Sequence, residues 1–105
     1  MAIENKWVRQ PQETKGDYFF NGKSYITTNL MNEIPAVEIM WIISDLKAFI
    51  QKEQGIDYLL VYERSDGRKI FCIDQLSNSM MENDLYSEKE IKEYNYWTML
   101  FAEEY

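Results

Sequence analysis

The stretch from residue 35 to residue 54, PAVEIMWIISDLKAFIQKEQ, constrains this chain more than any other, because it is long, periodic and punctuated at both ends. At about 100° per residue, Ala36, Ile39, Ile42, Ile43, Leu46, Phe49 and Ile50 fall on one broad apolar face, with Glu38, Asp45 and Lys52 opposite. Pro35 suits the first helical position, where no N–H is needed, and Gly55 sits where a left-handed terminating residue belongs. Burying one such side chain contributes about 1.5 to 3 kcal/mol, so the face requires a cover. The segments around it alternate with a period of two, and the predicted cover is a β-sheet. The fold class that follows is α+β: an antiparallel sheet of about five strands with the long helix packed across one face and a short second helix.

With 105 residues the chain fits one domain, and 46% hydrophobic content with 15% aromatics supports a packed core. The organisation expected is a loose N-terminal arm over residues 1–16 and a single α+β domain over 17–105. One cysteine, Cys72, excludes an internal disulfide, and the polar opening MAIENKWVRQ lacks a signal-peptide core, which points to a reducing, cytoplasmic setting. No apolar run approaches membrane-spanning length. The net charge of −7 is uneven, with −2 over residues 1–75 and −5 over 76–105. Such a surface opposes nucleic-acid phosphates and anionic lipid and favours basic protein partners, although it also serves solubility alone.

Along the chain, Lys6-Trp7-Val8-Arg9 is the only part of the arm able to pack or pair, and Trp7 is expected to dock on the domain. Asp17-Tyr18-Phe19-Phe20 and Ser24-Tyr25-Ile26-Thr27-Thr28 flank Asn21-Gly22, a strong hairpin signal that sets Tyr18 opposite Tyr25. Residues 29–34 then connect to the helix. Residues 57–63 and 69–75 around Ser65-Asp66-Gly67 give a second hairpin of central strands, with Cys72 in its apolar interior. Ser79-x-x-Glu82 and Ser87-x-x-Glu90 both match the capping box; the second predicts a two-turn helix over 88–94, with a polar strand as its competitor. Residues 96–102 close the chain as a strand apolar on both faces, expected inside the sheet.

The absent residue type narrows the chemistry. Without histidine, Ser-His-Asp and Cys-His arrangements are impossible, and one cysteine cannot build a structural zinc site. Cys72 in an apolar strand has neither a base nor a depressed pKa to act as nucleophile. Glu82 with Asp84, or Glu103 with Glu104, lacks an EF-hand loop, and the isolated glycines form no phosphate loop. No catalytic, cofactor-binding or metal-binding residue is therefore assigned, and no cofactor is expected.

Two sets of residues remain as protein-binding candidates. Val37, Trp41 and Ala48 form a narrow second apolar stripe on the long helix, covered either by the N-terminal arm, beside Trp7, or by a partner, a second copy of the chain included. Glu82, Asp84, Glu88, Glu90 and Glu93 supply negative charge for a basic groove, with plain solvation as the alternative. An enzyme working through carboxylates or a divalent cation, and a structural domain with no ligand, are the competing readings. A nucleic-acid binder using Arg64, Arg68 and Lys69 is weaker still against the net charge.

Three blocks resemble a small bacterial family, domain of unknown function 960: residues 25–35 (YITTNLMNEIP), residues 57–63 (DYLLVYE) and residues 98–105 (TMLFAEEY). The closing residues are also similar to domain of unknown function 3768. The resemblance implies a compact α+β domain in a setting of bacterial plasmids, phages and other mobile elements, and it brings no catalytic residues. By association, it further implies a non-catalytic binding module that inhibits a host defence system, in the manner of an anti-CRISPR protein, by imitating nucleic acid.

Overall fold

The computed structural model describes residues 6–83 and 85–105. Helix α2, Ala36–Glu53, is the predicted long helix, with Ile39, Ile42, Leu46 and Ile50 buried and Ile43 and Phe49 packed against the core. Its ends fall one residue away from expectation. Pro35 is the N-cap instead of the first helical residue, and Gln54 already takes the left-handed conformation (φ 57°) ahead of Gly55. Ala36, expected on the covered face, is exposed.

The sheet has five strands in the order β1-β3-β4-β5-β2: β1 Trp7–Arg9, β2 Lys23–Ile26, β3 Leu59–Arg64, β4 Lys69–Asp74 and β5 Tyr96–Phe101. Strands β3 and β4 form the predicted hairpin, antiparallel with Leu60 opposite Cys72. As expected, β5 lies inside the sheet, between β4 and β2. The first sixteen residues contribute edge strand β1, antiparallel to β3, with Trp7 fully buried.

The first hairpin is not formed, and this is the main correction to the sequence reading. Strand β2 pairs with β5, in parallel, so that Lys23 lies opposite Tyr96 and Ile26 opposite Met99. The sheet is therefore mixed, not wholly antiparallel. Residues 17–20 make only an isolated bridge, Tyr18 to Ile56, and Tyr18 and Tyr25 do not pair. Two contacts account for the outcome. Phe20, at φ 50°, turns into the core and meets Trp97 edge-on at 5.7 Å. Gly22 lies so close to the Asn95 carbonyl that a Cβ there would sit 2.0 Å from its oxygen. A two-stranded hairpin is marginal alone, whereas pairing along an interior strand extends the sheet and buries Phe20.

Among the described residues, three short α-helices and a closing 3-10 turn, Ala102–Glu104, complete the chain. Helix α1, Thr28–Glu33, replaces the expected connection, is capped by Thr27 and buries Leu30. Helix α3, Asn78–Glu82, is capped by Ser77 and not by Ser79. Helix α4, Glu88–Tyr94, carries the predicted capping box, in which the Ser87 hydroxyl accepts from Glu90 N while Glu90 Oε1 accepts from Ser87 N. No helix of the described residues is long and apolar enough to cross a membrane.

Candidate functional site

The strand pleat divides the sheet side chains into two sets. Trp7, Leu60, Tyr62, Ile70, Cys72, Trp97, Met99 and Phe101 are buried and form the core with α2. The alternate set, facing away from α2, is also apolar, yet it is not buried to the same degree. Val8 and Tyr25 are exposed, and Val61, Phe71, Tyr96 and Leu100 are half-buried. The rings on this outer face pair edge-on, Tyr25 with Tyr96 at 5.3 Å and Phe71 with Tyr105 at 5.7 Å.

Two grooves cross the outer face and share Tyr58. One, of about 400 Å³, is lined by Tyr18, Tyr58, Tyr105, Ile73, Asp74 and Leu100 among others. The other, of about 240 Å³, runs between residues 10–13 and the strand positions Leu59, Val61 and Lys69. Backbone pairing holds the walls of the larger groove. Tyr18 N donates to Ile56 O and Ile56 N to Tyr18 O, both at 3.0 Å, while Asp74 N donates to Tyr58 O at 2.9 Å. The Tyr18 and Tyr58 rings stand 6.2 Å apart, inclined at 58°.

Acidic residues stand near one wall of the larger groove. Burial, and then the charges of Asp17, Asp74 and Asp57, push the Tyr18 phenol above its ordinary value. Burial likewise raises the Asp74 carboxyl, against the opposing effect of N–H donors from Phe20 and Gln75, each at 2.9 Å. Lys47 approaches Asp74 from the α2 side, where its ammonium donates to Phe20 O, and burial lowers its pKa. Among the described residues no lysine or arginine lines the larger groove.

The residues singled out from the sequence lie elsewhere. Trp41 is half-buried and meets Tyr62 edge-on at 6.3 Å, on the flank of α2 where Trp7 donates to Glu38 and Arg9 to Asp45, both at 2.8 Å. Val37 and Ala48 are exposed. Asp84 lies outside the described residues. Glu82 ends α3, and Glu88, Glu90 and Glu93 are exposed on α4. At about 100° per residue Glu88 stands about 160° from Glu90 and about 140° from Glu93, so the three do not share one row. Glu90 is also occupied by its cap. Among the described residues no group of three or more His, Cys, Asp or Glu is placed to hold a metal ion.

Sequence reasoning missed the outer face although its signal was present. Residues 59–64, 69–74 and 96–101 are apolar on both faces, and one long helix covers only one of them. The chain matches no protein-family model, no curated protein and no solved structure.

Proposed function

We propose that this chain is a non-catalytic binding module that holds a segment of a partner protein against the outer face of its sheet. The observation that carries the reading is the run of incompletely buried apolar side chains there, Val8, Val61, Phe71 and Leu100, flanked by two grooves that meet at Tyr58. Apolar surface rimmed by polar groups is what protein interfaces use. The absence of histidine and the burial of Cys72 support a non-catalytic role. The net charge of −7, with Glu82, Glu88 and Glu93 exposed, steers basic partners toward the domain. The resemblance to domain of unknown function 960 supports a bacterial mobile element as its setting and a host defence protein as the partner.

A photo-crosslinking amino acid placed at Phe71, at Trp41 or at Glu93, in three separate variants expressed in bacteria, tests the reading. The expected result is a discrete heterologous protein captured from position 71 and much less from the other two. Capture confined to position 41 assigns the interface to the helix stripe, and capture confined to position 93 assigns it to the acidic surface. Crosslinking only to a second copy makes the contact one of self-association, and capture from none of the three favours a domain without a partner. Each of these overturns the proposal.

A further inference from the structure

We infer that β2 is a self-association edge, at which two copies of the chain pair antiparallel about a two-fold axis at Tyr25. The pairing does not depend on what the outer face holds. Strand β2 ends the sheet, and β5 covers only one of its sides. Lys23 N donates to Asn95 O at 3.3 Å and Thr27 N to Met99 O at 3.1 Å, so the peptide groups of positions 23, 25 and 27 point into the sheet. Those of Ser24 and Ile26 point out of it and have no strand beside them among the described residues. Lys23, Ser24 and Tyr25 are exposed, and β2 holds neither a proline nor a bulge to blunt this edge.

What the edge offers is complementary to itself. In an antiparallel pair centred on Tyr25, Ser24 of one copy lies opposite Ile26 of the other, and hydrogen-bonded neighbours of this kind exchange both N–H···O=C bonds. Every outward peptide group of β2 then meets its complement. The outer-face side chains select this register. Tyr25, 52% exposed, meets its own copy at a non-hydrogen-bonded position, with Cα atoms about 4.5 Å apart, and the edge-on Tyr25–Tyr96 contact at 5.3 Å continues across the joint. Lys23 lies opposite Thr27 of the second copy, and there the charge is opposite. Glu104 is fixed beside Thr27: its Oε1 accepts from Thr27 Oγ1 at 2.8 Å and from Phe101 N at 2.9 Å, and its Oε2 from Asn29 Nδ2 at 3.3 Å. These donors are all neutral, and neither Lys23 nor Glu104 forms an ion pair among the described residues. The two-fold axis brings each lysine to the other copy's Glu104.

Sedimentation velocity of the intact chain tests the association, and disulfide trapping tests the register. The expected result is a monomer–dimer equilibrium at about 0.1 to 1 mM chain, as suits an interface below standard size. Ser24→Pro removes an outward N–H without touching the bonds to β5, and Lys23→Glu reverses the charge that faces Glu104. Each is expected to weaken the dimer about five-fold or more while the β5 amide resonances keep their positions. Tyr25→Cys is expected to form an intermolecular disulfide about ten-fold or more faster than Ser24→Cys, because facing Cα atoms about 4.5 Å apart suit the bond, whereas the two copies of Ser24 are offset along the strands. Cys72, fully buried, is the same background thiol in both variants. A monomer throughout this range, a dimer that Ser24→Pro and Lys23→Glu both leave intact, or trapping as fast from Ser24→Cys as from Tyr25→Cys would overturn the edge pairing.

Discussion

Arg9 on β1 and Asp45 on α2, 36 positions apart, meet through Nη1 and Oδ2 at 2.8 Å, and the same carboxylate oxygen accepts the Tyr62 hydroxyl at 2.7 Å. The Arg9 guanidinium also lies 3.9 Å above the Phe49 ring. This joint ties the edge strand β1 and its neighbour β3 to one point on the long helix. The two bonds differ in value because Arg9 is partly exposed, whereas Tyr62 is fully buried. Asp45→Ala strands the Tyr62 hydroxyl and is expected to cost about 1 to 3 kcal/mol. Arg9→Ala removes a partly solvated ion pair and its stacking, for about 1 kcal/mol. Added to Tyr62→Phe, Asp45→Ala should cost less than it does alone, as read from denaturant unfolding of the four variants. Equal costs for Asp45→Ala and Arg9→Ala would show that the Tyr62 hydroxyl is satisfied elsewhere.

Gly22 is required by proximity and not by backbone torsion. A Cβ there would stand 2.0 Å from Asn95 O and 2.5 Å from its carbonyl carbon, backbone atoms that move only with β5. Gly22→Ala is expected to cost about 1 to 3 kcal/mol or more and to release exchange protection across residues 23–27. Gly67→Ala is the control: nothing lies within 4 Å, but φ is 89°, so the penalty is conformational and about 1 kcal/mol. A Gly22→Ala variant milder than Gly67→Ala would contradict the parallel β2–β5 pairing.

These glycines also mark the reach of sequence reasoning. Asp66-Gly67 was legible as a turn, and Ser87-x-x-Glu90 as a helix start, because each signal is complete within a few residues. The long helix was legible for the same reason, through its repeated apolar positions. Asn21-Gly22 carried an equally strong local signal, yet the partner of β2 lies more than seventy positions away, and nothing near residue 22 records Asn95. The larger groove is of this second kind, since Tyr18, Tyr58 and Tyr105 come from three distant segments. Conversely, the acidic residues of α4 are neighbours in sequence and diverge around the helix.

Cys72 is fully buried on the α2 side of β4, and burial pushes its thiol well above the ordinary value of 9.0. Thiolate is the reactive form, so a thiol reagent should label the native chain only as fast as the sheet opens. At both pH 7 and pH 9 labelling of the native chain is expected to be slower than labelling of the urea-unfolded chain by the factor that the opening equilibrium sets, at least about 100-fold. Native labelling at a rate close to that of the unfolded chain would mean that Cys72 reaches solvent without unfolding.

Glu90 reports on the cap of α4. Its carboxylate accepts from Ser87 N at 3.0 Å, and this bond, with the Ser87 hydroxyl contact next, lowers its pKa below the ordinary 4.5. A depressed carboxyl favours the folded helix when ionised. Its contribution is therefore complete above pH 4.5 and is lost as pH falls through the depressed value. An NMR titration should show amide protection of residues 91–94 falling over the acidic range in which the Glu90 carboxyl itself titrates. Ser87→Ala keeps the backbone donor and removes the hydroxyl, so the Glu90 pKa should rise only part of the way to 4.5 while the helix frays at every pH. Glu90→Gln keeps a hydrogen-bond acceptor without a titrating charge, and it should abolish the acidic step while leaving the helix formed. Persistence of that step in Glu90→Gln would move its origin to another carboxyl.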